Sequence, residues 1–196
     1  MFDGLEDWQS EQLVEGIEGG AVIIFPTDTV YGIGCTINSS SGIDRVYRIK
    51  GRSEDKPFPV LATKKQAAEI ASFSSRERRA IKQFWPGNLT LVLRTEEKID
   101  NRLVKQGKIA LRVPDLTPLL KLLEASGPLV GTSANISGDP APRRLEAVAP
   151  LLLKEVDYVL GVSSGSGQPS TVAGWNGKES SWEVFREGEI GTEELP

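Results

Sequence analysis

Short apolar runs that alternate with helical patterns are the feature that most constrains this chain. The runs at 21–25, 89–94 and 108–113 read AVIIF, LTLVLR and KIALRV. Such runs are typical of buried strands, whereas apolar residues spaced three or four apart, as at 5–18 and 39–49, are typical of amphipathic helices. Because helices and strands interleave without a regular repeat, the sequence predicts an α/β fold with a mixed sheet.

The same patterns predict the remaining elements of the chain. The other expected strands lie at 57–62, 128–133, 156–161, 171–175 and 182–186. The other expected helices are two short ones within 64–84 divided at Ser74-Ser75, a Leu-rich one at 116–125 and a short one at 143–153. The chain has 196 residues and no composition break that marks a linker, so we expect a single domain over 1–196.

Residue counts exclude several kinds of site. The chain has one Cys and no His, which excludes an intrachain disulfide, a Cys/His zinc site and a His-based catalytic dyad or triad. Its N-terminus is acidic, without the basic segment of a signal peptide. No apolar run approaches the ~20 residues that cross a bilayer. We therefore expect a cytoplasmic protein.

The net charge of the whole chain is −4, which by itself argues against phosphate or nucleic-acid partners. The charge is, however, unevenly distributed along the sequence. Residues 1–20 carry a charge of −6 and residues 176–196 carry −4, whereas residues 21–175 carry +6. Two acidic ends thus flank a basic body. Five of its cations fall within 45–56, where Arg and Lys could bind phosphates or simply form a solvated helix face.

Other polar segments directly follow apolar runs and are further candidates for a ligand-binding site. PTDTVYG, at 26–32, follows the first buried strand and could bind a small polar ligand or be a capped turn. GTSANISG, at 131–138, could form an anion-binding nest or an ordinary loop. Arg112 ends an apolar strand, either as an edge residue or as a site anchor, and Ser170 and Arg186 could close a site from another edge.

Taken together and in order, these segments are more specific than any one alone. PTDTVYG, K-G-R with KP shortly after it, PG before LTLVL, R-V-P, TSANISG, S-T-V and R-x-G resemble the motifs of the YrdC-type family, the threonylcarbamoyl-AMP synthases. The resemblance covers about residues 10–190. It implies an α/β (α+β) fold, a YrdC-like open twisted mixed sheet with flanking helices and a concave basic face.

The resemblance also implies an activity. The family joins L-threonine, bicarbonate and ATP into threonylcarbamoyl-AMP and pyrophosphate, as a nucleotidyltransferase in tRNA threonylcarbamoyladenosine modification. A downstream threonylcarbamoyl-transferase complex then acts on tRNA. The nucleophile is the carbamate of the substrate, so no His or Cys nucleophile is required. Mg²⁺ would bridge the phosphates, held by phosphate oxygens and water, and we expect no protein metal site.

Site residues follow from the motifs by resemblance. The expected ATP-binding residues are Lys50, Arg52, Lys56, Ser133, Asn135 and Arg186, of which Lys50 and Arg52 would be catalytic. The expected threonine-binding residues are Thr29, Tyr31, Arg112 and Ser170. Two departures bear on substrate choice: many relatives have Pro where this chain has Ser53, and many have His where it has Leu61.

Two other functions compete with this one. A double-stranded RNA or tRNA-binding module without catalysis would use the basic body to follow a nucleic-acid backbone. A carbamoyl-adenylate-forming domain of the hydrogenase-maturation type is a third hypothesis, but those domains lie in much longer chains with zinc-binding Cys clusters.

Overall fold

The structure is a computed structural model that describes residues 8, 10–161, 165 and 167–196. The expected helix at 5–18 is described from its N-cap, Ser10, onward, and most of its first part lies outside the described residues. The α-helices of the described part are α1 (Glu11–Glu18), α2 (Ser40–Lys50), α3 (Lys64–Ile70), α4 (Ser75–Phe84), α5 (Thr117–Ser126) and α6 (Pro150–Lys154).

The strands form two mixed sheets. They are β1 (Ile23–Phe25), β2 (Gly32–Gly34), β3 (Val60–Leu61), β4 (Leu89–Arg94), β5 (Val104–Lys105), β6 (Lys108–Arg112), β7 (Leu129–Val130), β8 (Thr132–Ser133), β9 (Tyr158–Val159), β10 (Thr171–Asn176) and β11 (Ser181–Arg186). The larger sheet has the order β11-β10-β4-β6-β3-β7, with β5 paired to β6, and the smaller has the order β8-β2-β1-β9.

Parallel and antiparallel pairs occur in both sheets. In the larger sheet, β4 with β10 and β3 with β6 are parallel, and the other pairs are antiparallel. In the smaller sheet, β1 is parallel to β9 and antiparallel to β2. The α/β fold with an open mixed sheet is therefore confirmed, with its strands divided between two sheets.

The two sheets meet along β7 and β8. These strands are separated only by Gly131, so one run of chain passes from the larger sheet into the smaller. The Val130 N–H donates to the carbonyl of Cys35, at 2.8 Å, directly after β2. A Cβ atom at Gly34 would overlap the carbonyl oxygen of Val130, so the sheets approach closely only because residue 34 is glycine.

Helix boundaries follow local capping. Ser39 accepts from the N–H of Gly42 at the start of α2, which ends at Gly51 with a left-handed φ of 56°. Ser74 and Glu77 form a capping box at the start of α4, and this start confirms the expected division of 64–84 into two helices.

The observed strand and helix bounds differ from the predicted ones mainly in segments that contain Pro or Gly. The strand expected at 57–62 is shortened to β3, because Pro57 and Pro59 have no N–H to give to a ladder. The helix expected at 143–153 is instead a 3₁₀ turn at Leu145–Ala147 followed by α6, with Pro150 in its first turn. The glycine-rich β2 was not predicted.

Apolar packing holds the helices on the sheets. Leu13 and Ile17 of α1 are fully buried with Trp8 against the leucines of α5. A larger core contains Ile43, Val46 and the inward residues of the larger sheet. Within the described ranges, no helix has the length and hydropathy of a membrane span.

Candidate functional site

A cavity of about 300 Å³ opens where the two sheets meet, and we call it the junction cavity. Its walls come from both sheets and from the loop after β8. Seven of the ten expected site residues line it: Thr29, Arg52, Arg112, Ser133, Asn135, Ser170 and Arg186. The side chains of Tyr31, Lys50 and Lys56 are not among its lining residues. The structure therefore brings most of the expected set together from six separate segments.

Arg112 lies at the end of β6 and is buried in the wall of the junction cavity. Its Nε donates to the Gly87 carbonyl at 3.0 Å, its Nη1 to Thr29 Oγ1 at 2.9 Å and its Nη2 to Asn88 Oδ1 at 2.8 Å. Burial lowers the pKa of the Arg112 guanidinium, and the neighbouring charge of Asp28 opposes that shift. Four backbone and side-chain partners thus fix a cation that has little access to water.

Asp28 is a site residue that the sequence prediction did not single out. Its Oδ1 lies 2.8 Å from Arg112 Nη2, and its side chain is 10% exposed. The Asp28 carboxylate is close enough to the Arg112 guanidinium to form an ion pair. Neither of its oxygens accepts a hydrogen bond from a described residue. The position of Asp28 within PTDTVYG, directly after a buried strand, was the signal that could have identified it.

Asn88 is the second residue that was missed. Its side-chain oxygen accepts from Arg112, and its amide donates to Glu189 at 2.6 Å. Asn88 directly precedes β4, and Thr90 pairs with Arg112 across β4 and β6. Sequence spacing alone does not reveal this arrangement, because it depends on the register of two strands.

A second wall of the junction cavity comes from the far edge of the larger sheet. Arg186 of β11 donates to the carbonyl of Ser170 at 2.8 Å and to its hydroxyl at 3.0 Å. The Ser170 hydroxyl also lies 2.8 Å from Thr90 Oγ1. Burial lowers the pKa of Arg186, and the positive charges of Arg112 and Arg52 lower it further. Three guanidinium groups therefore produce a positive potential in one cavity.

The loop after β8 provides the third wall. The Asn135 amide donates to the carbonyls of Ile136, at 2.9 Å, and Asp139, at 2.7 Å. Its Oδ1 atom is buried and accepts no hydrogen bond from the described part of the chain. This oxygen is available to a donor on a ligand.

Lys50 lies beneath this loop rather than in the cavity. Its side chain is 2% exposed, and its Nζ donates to the carbonyl of Ser133 and, at 2.6 Å, to that of Asn135. The Ser137 N–H donates back to the Lys50 carbonyl at 3.0 Å. Burial, with a smaller effect from Arg52, lowers the pKa of Lys50 to about 8. In this structure Lys50 holds the loop in place.

Arg52 and Lys56 occupy different positions although they are close in sequence. Arg52 lines the cavity, stacks over the Phe58 ring at 5.1 Å, and donates to the Lys56 carbonyl at 3.0 Å. The Lys56 side chain is exposed. Tyr31 is 2% exposed within the larger core.

The junction cavity suits an anionic ligand with both a carboxylate and phosphates. Of its three arginines, Arg112 is buried, Arg52 is half-buried and Arg186 is exposed. Hydroxyl groups of Thr29, Thr90 and Ser170 add hydrogen-bonding groups to the lining. The described residues include no group of three or more His, Cys, Asp or Glu that could hold a metal ion. Asp139 lines the cavity, and Asp28 lies next to it against Arg112, so two carboxylates are near the space that a ligand would fill.

The chain is similar to known proteins over nearly its whole length. The family model Sua5_yciO_yrdC, described as "Telomere recombination", matches residues 15–188. The threonylcarbamoyl-AMP synthase of Pyrococcus abyssi is 34% identical over 174 residues, which cover 86% of this chain and 51% of that protein. The chain thus spans about half the length of this curated relative.

Two solved structures are similar to the whole described fold. The crystal structure of P. abyssi Sua5 complexed with L-threonine has a TM-score of 0.89 at 27% identity, covering 99% of this chain and 59% of that one. The crystal structure of E. coli YciO has a TM-score of 0.87 at 26% identity, covering 100% of this chain and 98% of that one.

Proposed function

Because this chain belongs to the Sua5–YciO–YrdC family, we propose that it is a threonylcarbamoyl-AMP synthase that makes threonylcarbamoyl-AMP and pyrophosphate from L-threonine, bicarbonate and ATP. The observation that carries the proposal is the junction cavity, which places Arg112 and Ser170 in one space with Arg52, Ser133 and Arg186. Such an enzyme is a nucleotidyltransferase.

The proposed reaction needs positioning and charge rather than a protein nucleophile. The threonine amine and bicarbonate form a carbamate with loss of water. A carbamate oxygen then attacks the α-phosphorus of ATP, and pyrophosphate leaves with the bonding electron pair. The negative charge that develops on the phosphoryl oxygens is stabilised by fixed cations in a site with little water. In the junction cavity, Arg112 is a buried cation of this kind, and Arg52 and Arg186 add positive charge nearer to solvent.

Arg112 would pair with the threonine carboxylate. The guanidinium has five N–H groups, and its contacts with Gly87, Thr29, Asn88 and Asp28 leave an Nη1 N–H for a ligand. Thr29 and Ser170 would add hydroxyl groups beside it. We keep Tyr31 in the threonine set as a prediction, since its backbone joins PTDTVYG to the loop after β8.

Arg52 and Arg186 would face the phosphates of ATP, with Ser133 and Asn135 holding the nucleotide from the loop. Lys50 would act by fixing the carbonyls of that loop, and Lys56 would reach the phosphates from the exposed rim. Mg²⁺ would enter with ATP on phosphate oxygens and water and would supply further charge neutralisation there. The roles of these six residues are part of the proposal.

A cytoplasmic location and tRNA as the final acceptor, reached through a downstream transferase complex, complete the proposal. An RNA-binding module without catalysis is not favoured, because the relatives carry the name of an enzyme.

The activity can be tested directly. Purified protein is incubated with ATP, L-threonine, bicarbonate and Mg²⁺, and pyrophosphate and the adenylate are measured. Arg52→Gln should lower the rate on the order of a hundredfold, because one charge that stabilises the transition state is removed. Arg48→Gln is the matched control, since Arg48 is an exposed arginine in the last turn of α2, four residues before Arg52. Pyrophosphate release that does not depend on threonine would contradict the proposal.

A further inference from the structure

A second cavity, of about 570 Å³, lies at the opposite end of strands β4 and β6, and we call it the distal cavity. Its walls include Phe73, Val92, Arg94, Lys108, Trp175 and Lys178. Lys108 and Arg112 are four residues apart on β6 and so point to the same face of the sheet. At about 3.3 Å per residue, the two cavities are separated by about 13 Å along one strand. The distal cavity is therefore distinct from the proposed catalytic site.

Two cations that line the distal cavity lie opposite each other on neighbouring strands, and a third lies beside them. Arg94 and Lys108 are Cα partners across β4 and β6. Lys105 of β5 pairs with Lys108 on its other side. Like charges directly opposite each other destabilise a sheet, so an anion bound between them would be favourable.

The cations that line the distal cavity form no ion pair with the described part of the chain. Within the described ranges, no carboxylate oxygen lies within 4.0 Å of a charged nitrogen of Arg94, Lys108 or Lys178. Among the described residues that line this cavity, Glu77 is the single acid. Its carboxylate accepts from the Ser74 N–H at 2.6 Å in the capping box of α4, and the residue is 8% exposed. The cavity wall therefore keeps a surplus of positive charge.

Further cations surround the aromatic part of the wall. Arg76 lies over the Trp175 ring at 5.4 Å, and Arg78 lies over the Phe73 ring at 5.7 Å. Ser72 and Ser74 add hydroxyl groups to the lining. Cations, hydroxyls and an apolar wall in one concave space of this size are typical of a site for a small ligand.

We propose that the distal cavity binds a small molecule that carries phosphate groups. The like-charge pair of Arg94 and Lys108 is its anion anchor, and Lys178, on the turn after β10, adds a third cation to the lining. A bound phosphate relieves the repulsion between the paired cations. The proposal does not depend on the activity of the junction cavity.

Calorimetric titration with inorganic tripolyphosphate at low salt tests the proposal. Arg94→Gln/Lys108→Gln should lose one binding equivalent relative to the unaltered protein, and the affinity at that site should fall at least tenfold. Arg52→Gln identifies any equivalent that belongs to the junction cavity. Lys121→Gln, an exposed lysine on α5, is the matched control and should bind as the unaltered protein does.

A thermal readout separates binding from folding. Without ligand, the double variant should unfold at the same or a higher temperature than the unaltered protein, because it removes a repulsive pair. When tripolyphosphate is added, the unfolding temperature should rise by the full amount only for the unaltered protein and for the control Lys121→Gln. If the double variant does not fold, Lys178→Gln carries the same test, since Lys178 is exposed on a turn.

Two results would overturn the proposal. One is an unchanged number of binding equivalents in the double variant. The other is no tripolyphosphate binding outside the junction cavity, together with salt-dependent binding of a single-stranded RNA oligonucleotide that the double variant abolishes. That second result would assign the surface to nucleic acid instead.

Discussion

Arg112 has more protein partners than a residue that only binds a ligand requires. Gly87, Thr29, Asn88 and Asp28 surround its guanidinium, and they come from two segments of the chain. Such a network orients the cation before a ligand arrives, so little ordering remains to be done on binding. The same network makes the stability of the fold depend on the residues of the site.

Asp28→Asn should lower the free energy of unfolding by about 3 kcal/mol, because it leaves the buried charge of Arg112 without its counter-charge. Denaturant titration measures the loss. Asp157→Asn is the comparison, since Asp157 pairs with the half-exposed Arg45 and should cost about 1 kcal/mol or less. Equal losses of unfolding free energy in the two variants would show that the buried Asp28 ion pair stabilises the fold no more than the exposed one.

Lys50 should make stability depend on pH. Its pKa is about 8 in the folded protein and 10.5 in the unfolded chain, so between these values the unfolded chain binds more protons. The free energy of unfolding should therefore rise as pH increases from 8 to 10.5, by up to about 1.4 kcal/mol per unit. Below pH 8 the cost of burying the ammonium is present in full.

Denaturant titrations of the unaltered protein and of Lys50→Met between pH 7.5 and 9.5 check this slope. The difference in free energy of unfolding should grow with pH, whereas Lys121→Met should give a constant difference. Parallel curves for Lys50→Met would show that the carbonyls of Ser133 and Asn135 keep the ammonium charged throughout.

At the scale of elements, β2 and β7 set how closely the two sheets approach. Gly34→Ala should lower the free energy of unfolding by more than 2 kcal/mol, because the new methyl group meets backbone that cannot move aside. Gly51→Ala is the matched control. It has open space around its Cβ and a φ of 56°, so it should cost only about 1 kcal/mol. Similar losses would argue against tight packing at the sheet junction.

Elements with strong local signals were predictable from the sequence. β4 matches its apolar run, and α3 and α4 divide at Ser74, where the capping box begins. β2 was missed because its strand character comes from pairing with β1 and β8 rather than from its Gly-Ile-Gly sequence. The division into two sheets was missed for the same reason, since long-range pairing decides it.

The site was predictable only in part. Motif order identified residues from separate segments, and Thr29, Arg112, Ser133 and others do line one cavity. The contacts of Lys50 with loop carbonyls, and the pairing of Asp28 with Arg112, arise from tertiary packing and leave no periodic signal. Whether residues 1–196 form a single domain remains a prediction.

At the scale of the whole molecule, charge is divided between acidic ends and a basic body. Residues 21–175 carry +6 although the chain carries −4. ATP binding should therefore weaken between 50 and 300 mM salt, since the Debye length falls below about 10 Å above 0.1 M. Titration of ATP at several salt concentrations measures this effect. Affinity that does not change with salt would show that contacts inside the cavity outweigh the long-range field.

The passage of chain from β7 through Gly131 to β8 has a consequence for heat inactivation. Both sheets share this run, and the junction cavity lies against it. If either sheet unfolds, the lining of the junction cavity at residues 131–133 is deformed as well. Loss of ligand binding and loss of secondary structure should therefore follow one cooperative transition, with no inactive but folded state between them.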